Sequence, residues 1–271
     1  MTYISDFKSA PIDAYATTTD QGACANLTGS KWRTADGRVL TLVQNGGTAL
    51  AAGKLVMGPK PVANHQGLVT VSYTANNVSA GTPPQVVVTL GGTAMTANRY
   101  ANGLLVVHTG TGAGQTMQIA SNTAQTSTTG NVTITLADIP AVALDTTSTI
   151  NLFLPPAGAA NGTNASTDGV LVTDHTALTG KMLGVAITAI AAITTSGGTF
   201  STGNPSYGFV VSQGDIACLN DAGTTQGLDL MPSTNTDGAV MTYVAATGPR
   251  VGTSTVAGVT TDYAIITVQL G

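Results

Sequence analysis

Between Pro61 and Ala137 the chain carries one charged side chain, Arg99. Few soluble folds tolerate this. Exposed sheet edges are normally kept from stray pairing by Lys, Asp or Pro, so an uncharged β segment needs its edges closed into a barrel or covered by a partner. The rest of the chain points to β structure as well. All thirteen acidic residues are Asp, so the helix former Glu is absent, while β-branched Thr and Val abound among 33 Gly and 11 Pro. The sequence therefore predicts an all-β protein made of two β-sandwich or barrel-like modules with an extended N-terminal arm. It also predicts membership of an oligomer or larger assembly.

Turn signals divide the 271 residues. Residues 1–29 read as a polar arm. Its Tyr3, Ile4, Phe7, Ile12 and Tyr15 are atypical of disordered tails and mark it as a docking element. Residues 30–62 hold a hairpin and first strands, expected to pack with residues 170–271. Residues 63–157 form a central β module, with strands at 67–73, 85–90, 103–108, 116–119, 130–136 and 148–154. Period-2 alternation is clear in "NVTITL" and "STINLFL". "LADIPAVAL" reads as one short helical turn, and residues 158–169 as a Gly/Ala/Asn linker. Residues 170–271 form a C-terminal β module, in which "YGFVVSQG" and "IACLN" read as two separate strands.

The segment "KWRTADGRVLTLVQNGG" (31–47) holds the single Trp of the chain and three of its nine basic residues. Ala35-Asp36-Gly37 fits a three-residue hairpin loop with Gly in the left-handed region. In that register Arg33 faces Val39 and Trp32 faces Leu40. Trp32 then shares a face with Leu40 and Leu42 and serves as a structural anchor. Lys31, Arg33 and Arg38 are left as candidate inter-subunit contacts.

No catalytic or cofactor constellation emerges, and the expected set of catalytic residues, metals and cofactors is empty. His65, His108 and His175 lack metal-ligand spacing to one another or to Cys. "GTGAGQ" (110–115) lacks the Lys and Ser/Thr of a phosphate loop. An isoelectric point near 5.0 argues against direct nucleic-acid binding. "MTYISDFKSAPID" has no apolar core of a secretory signal. No apolar run reaches the roughly 18 residues of a membrane helix. Cys24 and Cys218 make no disulfide framework, and two unpaired thiols are the expectation.

Three stretches, "KWRTADGRVLTLVQNGGTALAAGKLVM", "TLGGTAMTANRYANGLLVVHTGTGAGQTMQIASN" and "YGFVVSQGDIACLNDAGTTQGLDLMPSTNTDGAV", resemble the head decoration (cement) proteins of tailed bacteriophages. The D-G-R hairpin, the "ALAAG-x-L" segment, the "TA-x-TAN-x-Y-x-x-G" block and the "YG-x-V-x-x-x-G" strand occur in the same order. The resemblance implies a non-enzymatic virion protein, made in the host bacterial cytoplasm and placed on the capsid exterior. It would bind the major capsid protein, commonly as a homotrimer, and resist the pressure of packaged DNA. The alternative readings are a phage tail or fibre component and a carbohydrate-binding adhesin.

Overall fold

A computed structural model describes residues 28–75, 81–158, 169–173, 180–192, 195–196, 199–200, 207–221, 223–244 and 248–270. The arm residues Tyr3, Ile4, Phe7, Ile12 and Tyr15, the bulk of the linker, Cys24 and His175 lie outside the described residues. The fold is all-β. Its strands are β1 (Lys31–Arg33), β2 (Val39–Gln44), β3 (Leu55–Met57), β4 (Leu68–Thr74), β5 (Gln85–Thr89), β6 (Leu104–Thr109), β7 (Thr116–Asn122), β8 (Asn131–Leu136), β9 (Thr149–Phe153), β10 (Leu171–Val172), β11 (Met182–Ala186), β12 (Thr195–Ser196), β13 (Thr199–Phe200), β14 (Tyr207–Leu219), β15 (Asp229–Pro232), β16 (Val240–Thr242), β17 (Gly252–Ser254) and β18 (Tyr263–Gln269). A single 3-10 turn, Ala63–His65, is the one helical element among the described residues. The chain forms two compact units. Pro59–Asn164 make one, and the segments on either side combine into the other.

The inner unit is a closed six-stranded barrel in the order β4-β5-β8-β7-β6-β9, shut by the pairing of Leu68 with Ile150 and Val69 with Thr149. Closure follows from the alternation. Every second residue of β5, β8 and β9 is buried, and Leu105, Ile119, Ile134, Leu136, Ile150 and Leu152 fill the interior. Each such side chain contributes about 1.5–3 kcal/mol by leaving water. A closed barrel has no free edge, which removes the need for charged guards. Of the two solutions open to an uncharged β segment, this unit uses self-closure. Its lack of charge is therefore no argument for a covering partner at its edges.

The loop after β5 plugs the barrel. Met95 and Tyr100 are fully buried. Asn122 clamps the loop through its side-chain amide, which donates to Thr96 O at 2.8 Å while its Oδ1 accepts from the Tyr100 N–H at 2.9 Å. Asn98 and Asn102 take positive φ values of 58° and 63°, a conformation that Asn tolerates better than most residues. "LADIPAVAL" contains no helical turn; after β8 the chain runs through bends, held in part by Val142 N–H donating to Gln115 Oε1.

The other unit is a ten-stranded sheet in the order β10-β3-β11-β14-β18-β17-β15-β16, with β2 pairing β14 and β1 pairing β2. Strand β14 organises it. Tyr207–Gln213 pair with β2, and Gln213–Leu219 pair with β18. The sequence predicts two strands here because Gly214-Asp215 looks like a turn. The chain instead runs on as one strand, with a register shift between Val211 and Gln213 and Gly214 at φ 104°. Glycine absorbs that irregularity, and its missing Cβ admits the Arg38 side chain, whose Cγ would lie 2.8 Å from a Cβ there. Among the described residues, Leu55, Val185, Cys218, Leu230, Val240, Val251, Ile266 and Val268 pack in one core, and Leu40, Leu42, Tyr207, Phe209 and Val211 in another.

Candidate functional site

The β1–β2 hairpin adopts the register read from its turn: Lys31 opposite Thr41, Trp32 opposite Leu40, Arg33 opposite Val39. Gly37 sits at φ 88°, and the Thr34 N–H donates to Arg38 O at 2.9 Å. Trp32 is half-buried and packs on the second core, with its ring edge-on to Phe209 at 5.3 Å between centroids and 83° between planes.

The three basic residues separate. Arg38 Nε donates to Asp36 Oδ2 at 2.7 Å within the turn. The Thr34 hydroxyl, together with the Arg38 N–H groups, holds the Asp36 carboxyl below its ordinary value. Lys31 and Arg33 point away from the core and are exposed. They lie on β1, which among the described residues pairs with β2 alone and so forms an edge of the described sheet. Charge on an edge strand deters another chain from adding to it. This accounts for two of the three cations without a ligand.

Arg38 also borders a groove of about 520 Å³ on this unit, lined by Ala52, Gly53, Ala186, Ile187, Asp215, Ile216, Ala217, Tyr263 and Ile265 as well. Tyr263 and Ile265 are 51% and 46% exposed, and the Asp215 carboxylate accepts from the Thr267 hydroxyl. The groove is thus mainly apolar, with a cation and an anion among its lining groups. Sequence reasoning did not find it. Its walls come from five separated segments, and pairing of β14 with β2 and β18 and the approach of Gly53 bring them together.

The remaining polar clusters have their hydrogen bonds turned inward. His65 is buried, with Nδ1 2.6 Å from the Tyr100 hydroxyl and Nε2 2.9 Å from Thr93 O. The buried Asp221 carboxylate accepts from Ser233 Oγ, Asn235 Nδ2 and Thr236 Oγ1, which closes the 233–236 loop. The free Cys218 thiol is buried, and burial pushes its pKa up to about 12, so it is a poor nucleophile. His108 is exposed. Among the described residues no three His, Cys, Asp or Glu side chains are grouped to hold a metal ion. No helix among them is long and apolar enough to cross a membrane. Comparison with protein-family models, with curated proteins and with solved structures found no match.

Proposed function

We propose that this protein is a structural component of a tailed-phage virion, bound to the capsid exterior as a homotrimeric decoration protein and acting by contact alone. The observation that carries this reading is the wall of the closed barrel. Between Pro59 and Asn164 the charged residues are Lys60, Arg99, Asp138 and Asp145, and Arg99 is buried. The outward positions carry Val69, Val71, Ser72, Leu104, Thr116, Gln118 and Asn131 instead. The centres of protein–protein interfaces are depleted of charge in this way, because pairing a desolvated charge is demanding. A wall of short polar and aliphatic groups suits a broad contact with a protein shell, and many copies on one particle make modest contacts collectively tight.

The family-like motifs support the same reading by where they lie. The D-G-R segment is the β1–β2 turn, and "TAMTANRYANG" is the barrel plug built on Tyr100 and Asn122. Both serve architecture, as expected of a binding protein.

The test is location. Purified protein is mixed with whole virions that lack it and imaged by electron microscopy. Added density on the outer shell, with a higher temperature of shell rupture, is the expected result. Density on the tail or fibres would assign it to those parts instead. Binding to neither would overturn a virion role.

A further inference from the structure

Strands β8 and β9 are not neighbours in the barrel; β7 and β6 stand between them. The connection that joins them, residues 137–148, crosses the turn between β6 and β7 and displays Ile139 and Val142, 64% and 49% exposed. We propose that this loop anchors the barrel unit in an apolar socket of the protein shell, with Ile139 and Val142 as the inserted side chains. The inference rests on the capsid reading and names a contact within it.

Isolated exposed aliphatic residues are ordinary on a protein surface. These two differ because the backbone that carries them is fixed. Asp138 Oδ2 accepts from the Gln118 N–H at 2.6 Å, and Pro140 is buried, so Ile139 stands between two held residues. The Gln115 side-chain amide holds Val142 as a neighbouring strand would. Its Oε1 accepts from the Val142 N–H and its Nε2 donates to Val142 O, each at 3.0 Å. Leu144 enters the barrel core, and Asp145 Oδ2 accepts from the Thr111 hydroxyl at 2.7 Å. The glycine-rich turn 110–115 is the bed for this loop. A Cβ at Gly112 would meet the Gln115 amide and come within 2.9 Å of Leu144 Cδ2, so glycine lets both close in. A display fixed in advance loses little freedom when a partner covers it.

Chemistry and position select the occupant. Asp138 and Asp145 are the two acidic residues of the 59–164 unit, and both direct acceptors inward to hold the loop. The tip, residues 139–143, reads Ile-Pro-Ala-Val-Ala. It has no charge and no polar side chain, so it offers nothing to a phosphate, a sugar or a lipid headgroup. An apolar pocket on a protein matches it. Two aliphatic side chains cannot supply the roughly 1,200 Å² that a stable complex of two free copies buries. They can anchor a wider contact, and the tip is continuous with one. Gln118, whose N–H holds Asp138, belongs to the uncharged barrel wall. A surface that meets the wall therefore meets the tip.

The experiment is co-sedimentation of the labelled full-length protein with whole virions that lack it. Ile139→Ser and Val142→Ser should each weaken binding about tenfold. Val142→Thr keeps the shape and should weaken it too, because the socket strips water from the new hydroxyl. Circular dichroism melting should match the parent, since both positions are exposed, and sedimentation velocity of the free proteins should give one mass for all four. Parent-like binding by the variants overturns this inference and leaves the capsid reading standing. A parent protein that binds no virion, or is seen on the tail alone, overturns both. A lower free mass in the variants assigns the loop to contact between copies and overturns the shell as its partner.

Discussion

The Tyr263 ring lies directly over the backbone of Gly53. A Cβ at Gly53 would come within 2.4 Å of ring Cε1 and 2.8 Å of Cδ1, and the backbone there has φ 73°. Gly53 N–H donates to Ala186 O at 2.8 Å, and Gly53 O accepts from Leu219 N–H at 2.9 Å. One glycine therefore joins β11 to β14 and seats the ring that forms part of the groove. Gly53→Ala introduces both a clash and a strained φ, and should cost roughly 2 kcal/mol. A fall of several degrees in the melting temperature, with the Tyr263 ring signals displaced in NMR spectra, is the expected outcome.

Trp32 reports on the same unit. It is the single Trp of the chain and stands edge-on to Phe209. Trp32→Ala removes an aromatic pair and a half-buried surface, which together contribute about 2 kcal/mol. Denaturant unfolding followed by far-ultraviolet dichroism should show a lower midpoint. Trp32→Phe should recover most of the loss, because the edge-to-face contact with Phe209 survives.

Lys31 and Arg33 are exposed on β1, an edge strand among the described residues. Replacing both by Val, which favours strands, would leave an unguarded apolar edge. The Lys31→Val/Arg33→Val variant should self-associate, read as added mass and concentration dependence in sedimentation velocity. Lys31→Arg should behave as the parent protein does.

Asp145 supplies a pH dependence whose sign is set by its partners. Its carboxylate accepts from the Thr147 and Thr111 hydroxyls at 2.6 and 2.7 Å and from the Thr147 N–H at 2.8 Å. These bonds, the Thr147 hydroxyl foremost, lower its pKa from 3.8 to about 2. A group whose folded pKa is depressed stabilises the fold above its unfolded value and loses that contribution as pH falls through the folded one. The β9 end of the barrel should therefore weaken between about pH 4 and pH 2. Asp145→Asn should flatten the melting temperature across that window, and a carboxyl titration by NMR should place Asp145 near pH 2.

Cys218 is sealed in the core of the sheet unit. In a Cys24→Ser background, a thiol reagent at pH 8 should leave the folded protein unmodified and label one thiol once denaturant is added. Rapid labelling without denaturant would mean that β14 opens locally.

Local chemistry made much of the fold legible. In the barrel, alternation placed each strand within a few residues of its position. Asp36-Gly37 set the hairpin register, because a positive φ at Gly37 selects one loop length. The same local reading failed at Gly214, where turn chemistry and a strand irregularity look alike. Helix and strand patterns also merge in short apolar runs, which is why "LADIPAVAL" reads as a turn of helix and is none.

By itself the sequence determined the all-β class, the hairpin with Trp32 on its inner face, and the segment in which charge is missing. These depend on period-2 patterning, φ preference and composition, which are properties of near neighbours. Tertiary structure decided that the uncharged segment closes on itself, with β4 meeting β9 across eighty residues of chain. It also decided that Arg38, Gly53, Asp215 and Tyr263 share one groove. Pairing between distant strands is chosen by the joint fit of registers, twist and core volume, and no single segment encodes that choice.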